Sequence, residues 1–146
     1  MSSHPPYVAQ NAHELARLRA FVEGASDEQL ATPMPEGWTV GAVLAHAAFW
    51  DGRLLAIMEA RDAGVEPPPY HEEAVDWIND AAKPFLLALS PRDAAELAVT
   101  IAERTDSRLA AEPLDRVLKE SAVWLNPDRW DHRREHLDDI ERILGT

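Results

Sequence analysis

The segment that decides the fold is Gly37–Asp51, with the sequence GWTVGAVLAHAAFWD. Thr39 is a preferred helix N-cap residue, and apolar residues recur after it at helical spacing until Gly64. We therefore predict a helix from Thr39 to about Ala63. Its apolar residues cover well over half of the helical circumference, so this helix should contact two or more neighbours.

The rest of the chain also shows helical patterns, because alanine is abundant and runs of β-branched residues are short. Further helices are predicted over about 9–24, from near residue 71 to a kink or end at Pro84, over 90–111 and over 126–144. Residues 113–125 could form irregular chain or a short helix. Four main helices with long connections predict an all-α four-helix bundle, with 1–146 as a single domain.

The composition narrows the classes of partner. The chain has 26 acidic and 14 basic residues and a formal net charge of −12, which argues against nucleic acid and anionic lipid as partners. It has no cysteine, which excludes disulfides, thiolate metal ligands and a cysteine nucleophile. The N-terminus lacks a secretory pattern, and no apolar run approaches the roughly 20 residues of a membrane span. We therefore expect a cytoplasmic protein with no membrane partner.

Three histidines form a candidate metal site. His132 and His136 are four residues apart on the last predicted helix, so their rings project from one face. His46 lies at the edge of the apolar surface of the Thr39 helix. Three imidazoles from two helices could bind one divalent metal and leave a coordination position open. Alternatively, the histidines are half-buried side chains that hydrogen-bond to the backbone or to acids, in a bundle without metal.

Two windows, Gly37–Asp51 and Trp130–Leu137, resemble the signature of the DinB-like superfamily. Its members include YfiT-type metal-dependent hydrolases and the metal-binding domain of mycothiol-dependent maleylpyruvate isomerase. The resemblance implies that His46, His132 and His136 bind one divalent metal ion, for which imidazole ligands suit zinc, nickel or iron. It also implies a homodimer. The chain ends soon after the last predicted helix, so we do not expect the activity of the two-domain isomerase.

The substrate pocket is predicted to include Trp50 and Arg133 and, on the third predicted helix, Trp77 and Asn79. Core packing is the alternative for the two tryptophans and for Asn79. Arg133 stands where relatives often carry an aromatic residue. It could extend to solvent, pair with an acid such as Asp51, or contact an anion in the pocket. Asp51 lies five residues after His46 and points to another side of the helix, so an ion pair or cap is favoured over metal binding.

The resemblance implies an enzyme that acts on a small molecule, either a hydrolase or a low-molecular-weight-thiol S-transferase, in stress or detoxification. A three-histidine metal can activate a bound water or bind a thiol as thiolate. No catalytic residue beyond that water is predicted. A thiol cofactor is the expected second partner of the thiol-transfer alternative. The other class of function is a metal-binding bundle without catalysis.

Overall fold

The computed structural model describes residues 5–121 and 123–146. Their seven α-helices are α1 (Pro6–Gly24), α2 (Asp27–Leu30), α3 (Val40–Asp62), α4 (Val75–Ala88), α5 (Pro91–Ala111), α6 (Leu114–Glu120) and α7 (Arg129–Leu144). Two short 3-10 turns, Pro35–Gly37 and Glu72–Ala74, precede α3 and α4. Within the described ranges no β-strand forms, and an isolated bridge pairs Pro33 with Thr39. The predicted all-α bundle is confirmed.

Helix α3 is the central helix, because it contacts α5, α7 and α4 on different sides. Thr39 caps it as predicted: the Thr39 hydroxyl accepts a hydrogen bond from the Ala42 amide at 3.1 Å. Its buried residues join the main core with α1, α5 and α7, to which Leu18, Ala98 and Leu137 contribute. The wide apolar surface read from the sequence therefore corresponds to burial on several sides.

Helix α5 packs closely on α3 because its inner face is built of small side chains. Ala94, Ala95, Ala98 and Ala102 are all buried on that face. Ser90 caps α5, its hydroxyl accepting a hydrogen bond from the Asp93 amide at 3.1 Å, and Pro91 occupies the first turn. Small residues at a helix contact allow the two backbones to approach more closely than large ones would.

The structure adds detail to the predicted helices in two regions. Helix α4 does not end at Pro84 but continues to Ala88. Proline removes the bond to the carbonyl four residues earlier, at Asp80, and both residues are exposed, so water can satisfy that carbonyl. The ambiguous segment 113–125 contains the short helix α6, whose Val117 is buried in a second apolar cluster with Met58 and Leu109.

Helix α3 is also long and apolar enough, by length and composition alone, to cross a membrane. More than half of the apolar stretch, 56%, is buried inside the bundle. Its hydrophobicity is therefore accounted for by its place in the core, where it contacts neighbouring helices on several sides.

Candidate metal centre

Three imidazoles converge between α3 and α7. His46, His132 and His136 each offer a ring nitrogen, and these three nitrogens lie within 4.8 Å of one another. The Nε2 atoms of His132 and His136 are 2.8 Å apart, while the ring of His46 meets both partner rings nearly edge-on, with centroids at 5.5 and 5.3 Å. The three residues predicted from spacing and resemblance are thus brought together.

The position of α7 is set by an anchor on α1. The buried Asn11 side chain donates through Nδ2 to the Pro127 carbonyl at 2.9 Å. Its Oδ1 accepts from the Trp130 amide, also at 2.9 Å. One side chain therefore satisfies two backbone groups at the start of α7, one just before its first turn and one within it, and that turn carries His132.

Burial keeps the imidazoles uncharged. Burial, together with a smaller effect of charge on His136, lowers the pKa of His46 to about 4. Burial also lowers the pKa of His132 to about 3, with neighbouring His136, His46 and two arginines acting in the same direction. The pKa of His136 is lowered by burial as well, against a smaller opposing effect of Asp139. At neutral pH all three rings are therefore neutral, which is the form that binds metal.

These residues fit a divalent metal by two observations. The first is the donor set, which consists of three neutral imidazoles with ring nitrogens within 4.8 Å of one another. With Zn–N distances of about 2.0–2.1 Å, two nitrogen ligands of one zinc ion lie about 3–3.4 Å apart, so small movements of these side chains would suffice. In addition, the buried Nδ1 atom of His46 has no hydrogen-bond partner among the described residues. An unpartnered buried polar nitrogen is costly unless something binds it.

A buried ion network lies beside the histidines and joins α3, α5 and α7. The Asp51 carboxylate accepts from Arg129 Nε at 2.7 Å and from Arg133 Nη2 at 3.0 Å. Arg133 also makes two bonds to Asp106, at 2.7 and 2.8 Å, and its side chain is only 3% exposed. Burial raises the pKa of Asp106, and the adjacent Arg133 guanidinium opposes this rise. Arg133 therefore pairs with Asp51, one of the three roles predicted for it, and does not extend to solvent.

A cleft of about 630 Å³ opens beside two of the histidines. Its lining includes His46, His132, Trp50, Asn79 and Arg53, together with the chain that precedes α7. Trp50 Nε1 donates to Asn79 Oδ1 at 2.8 Å, which links the α3 wall of the cleft to the α4 wall. The cleft gives a small molecule access to the open side of the histidine cluster.

Two residues predicted for the pocket lie elsewhere. Trp77 is 75% exposed on the outer face of α4, because it lies two residues before Asn79 and so points away from the cleft. Arg133 lies beneath the cluster, where Asp51 and Asp106 hold its guanidinium, and it does not line the cleft.

The sequence reading missed four residues of this region: Asn11, Arg53, Asp106 and Arg129. Asn11 could have been identified from the sequence, because it continues the apolar spacing of Leu15, Leu18 and Val22. That spacing predicts a polar side chain in the core. No pattern in the sequence identifies Asp106 and Arg129, because their roles depend on contacts between helices that are distant in sequence.

Comparison with known proteins identifies the family. The family model described as mycothiol maleylpyruvate isomerase N-terminal domain matches residues 12–139. No curated protein and no solved structure matches the chain. The match includes both sequence windows and all three histidines, and domains of the DinB-like type bind metal. The chain therefore belongs to the family of the mycothiol maleylpyruvate isomerase N-terminal domain, within the DinB/YfiT-like superfamily.

Proposed function

We propose that this protein is a divalent-metal-dependent enzyme that transfers a low-molecular-weight thiol to or from a small molecule. The observation that carries the proposal is the convergence of three neutral imidazoles at the wall of a cleft of about 630 Å³. His46, His132 and His136 would hold the metal. Bound there, a metal would act as a Lewis acid that favours the thiolate form of a thiol.

Thiol transfer is favoured over hydrolysis by the carboxylates around the site. Hydrolysis is helped by a positioned general base. Asp51 is held by two arginines, and Glu135 points to solvent. Asp128 lines the cleft, but it is exposed and accepts a hydrogen bond from Trp130 Nε1. A thiol brought to the metal as thiolate is itself the nucleophile and needs no such base. The family match adds support, because the family takes its name from a mycothiol maleylpyruvate isomerase.

The chain's own residues would bind and orient the substrate. Trp50 offers an aromatic wall that is hydrogen-bonded to Asn79, and Trp124 and Leu125 add apolar surface to the lining of the cleft. Such a cleft excludes water from one side of a bound molecule while leaving its reactive end beside His46 and His132.

The metal site is tested by the metal content of protein purified without a polyhistidine tag. We expect about one equivalent in the wild type and a loss of most of it in His46→Ala, His132→Ala and His136→Ala. His13→Ala and His71→Ala are matched controls, because both side chains are exposed. Equal metal content in all five variants would contradict the proposal.

Catalysis is tested with the metal-loaded protein on a panel of thiol conjugates, esters and amides. We expect turnover of thiol conjugates that the His132→Ala variant lacks. Turnover confined to esters or amides would favour a hydrolase instead. Metal binding with no turnover on the whole panel would favour a metal-binding bundle without catalysis. The homodimer, the cytoplasmic location and the absence of nucleic-acid and membrane partners stay predictions.

A further inference from the structure

Arg53 is the cationic side chain of the cleft that is not already neutralised by a carboxylate. Two arginines line the cleft, Arg53 and Arg129. Arg129 donates to Asp51 at 2.7 Å and to the Asn126 carbonyl at 3.3 Å, so its charge is already balanced. Within residues 5–121 and 123–146, no carboxylate forms an ion pair with Arg53. Ten of the twelve arginines, all of which lie in the described ranges, form ion pairs with carboxylates, and the other arginine without one is the exposed Arg104 of α5.

The Arg53 guanidinium lies over an aromatic ring of the same cleft wall. Its Cζ atom lies 5.6 Å from the centroid of the Trp50 ring, in a cation–π contact. Trp50 is in turn fixed by its hydrogen bond to Asn79. A cation on a rigid aromatic support keeps its donors available to a ligand at a low entropic cost.

Arg53 also stands at a defined distance from the histidine cluster. His46, Trp50 and Arg53 are at positions i, i+4 and i+7 of α3, so they form one stripe along the cleft wall. Seven residues of helix span about 10 Å. A molecule whose reactive end lies at His46 would therefore place its far end near Arg53.

The carboxylate of Asp128, on the cleft wall, does not neutralise the positive charge of Arg53. Asp128 lines the same cleft, and its Oδ1 accepts from Trp130 Nε1 at 3.3 Å. It makes no ion pair with Arg53. The planar guanidinium, with donors in a fixed fork, matches a carboxylate better than it matches a neutral oxygen.

We propose that Arg53 binds a carboxylate of the substrate or thiol, about two helical turns from the atom that reacts at the histidine cluster. This inference rests on the proposed function and specifies its ligand as an anionic small molecule. The acidic protein repels anions at long range, so a preference for a carboxylate requires a local cation of this kind.

The test uses full-length protein loaded with one equivalent of cobalt(II) and freed of excess metal. The probes are 6-mercaptohexanoate and the neutral 6-mercaptohexanol, which have the same length. Their dissociation constants are measured from the sulfur-to-cobalt charge-transfer absorption. We expect the carboxylate to bind about 10-fold more tightly, as one charge-assisted hydrogen bond allows. In the Arg53→Gln variant this preference should vanish, while binding of the alcohol stays unchanged.

The control variant is Arg104→Gln, which changes the net charge equally at an exposed position of α5 outside the cleft. It should keep the preference. A second control probe is 3-mercaptopropionate, which is too short to reach from the cluster to Arg53 and should gain nothing from its carboxylate. Both variants must hold the same amount of cobalt and unfold at the same temperature as the wild type.

The outcomes separate this inference from the proposed function. Equal affinity for the two six-carbon thiols in the wild type would overturn the role of Arg53 and leave thiol binding intact. A carboxylate preference that survives in Arg53→Gln would also overturn it. Binding of neither thiol to the cobalt protein would overturn the proposed function and this inference together.

Discussion

Asp51 joins two arginines of α7 to α3, next to the histidine cluster. Its side chain is 4% exposed and accepts from Arg129 and Arg133. Removing one partner of a buried ion network leaves the others uncompensated. We predict that Asp51→Asn lowers the free energy of unfolding by about 3 kcal/mol, measured by urea denaturation.

An exposed ion pair on α7 provides the control for Asp51. Asp131 pairs with Arg134 at 3.1 Å, and both side chains are at least half exposed. Asp131→Asn should change the free energy of unfolding by less than about 0.5 kcal/mol. Equal effects of the two substitutions would show that burial of the network does not matter for stability.

Asn11 is the second residue whose role depends on α7. Substitution by alanine leaves the Pro127 carbonyl and the Trp130 amide without their partner, in a place where Asn11 itself is 2% exposed. We predict that Asn11→Ala costs about 2 kcal/mol of stability and weakens metal binding about 10-fold, because the start of α7 carries His132. Chelator competition measures the second effect. Met58→Ala is the control, because it should destabilise the protein by a similar amount by leaving a cavity in the second apolar cluster. This variant should keep the metal affinity of the wild type.

At the scale of helices, the contact between α3 and α5 depends on two glycines with different surroundings. A Cβ atom at Gly41 would clash with the backbone of Pro91, lying 2.8 Å from its Cα atom. A Cβ atom at Gly52 would meet only a side-chain methyl of Ile101, at 3.5 Å. The first contact is impossible without backbone movement, whereas the second is an ordinary van der Waals distance.

The same substitution at these two positions should therefore have opposite effects. We predict that Gly41→Ala destabilises the protein by about 2–3 kcal/mol, because α3 and α5 must separate. Gly52→Ala should stabilise it by up to about 1 kcal/mol, because alanine favours the helix. Thermal unfolding of the two variants checks both signs. Destabilisation by Gly52→Ala as large as that by Gly41→Ala would contradict the packing described.

Helix boundaries could be predicted from the sequence because their determinants are local. Thr39 and Ser90 cap their helices through their own hydroxyls, and Gly145 ends α7 with a positive φ of 74°. Sequence patterns did not predict structure that depends on contacts between helices. Helix α6, for example, is stabilised by burial of Val117 in a cluster with residues of other helices. The orientation of Trp77 was likewise missed, since it depends on which side of α4 faces the bundle.

For the whole molecule, the histidine cluster links α3 to α7, two helices that are far apart in sequence. Two of its histidines could be paired from their spacing on one helix, but their meeting with His46 could not be predicted from spacing. That meeting depends on how α7 packs on α1 and α3. The family resemblance pointed to His46, and in the structure its ring centroid lies 5.3 Å from that of His136.

A metal bound at this cluster should stabilise the whole fold, because it binds the folded chain and not the separated helices. A ligand present at about 1,000 times its dissociation constant contributes about 4 kcal/mol. In a chain of this size, that corresponds to a rise of about 10 °C in the unfolding temperature. We predict that removal of metal by a chelator lowers the unfolding temperature by about this amount, and that one equivalent of zinc restores it.

The histidine variants make this prediction specific to the cluster. His132→Ala should unfold at the same temperature with chelator or zinc, because it cannot hold the ion between α3 and α7. His71→Ala should behave as the wild type, since its side chain is exposed and 61% accessible. A zinc-dependent rise of equal size in His132→Ala would place the stabilising ion elsewhere on this acidic surface. The same scans without added metal show whether the substitution itself weakens the fold, so the effect of the ion is read as a difference within each variant.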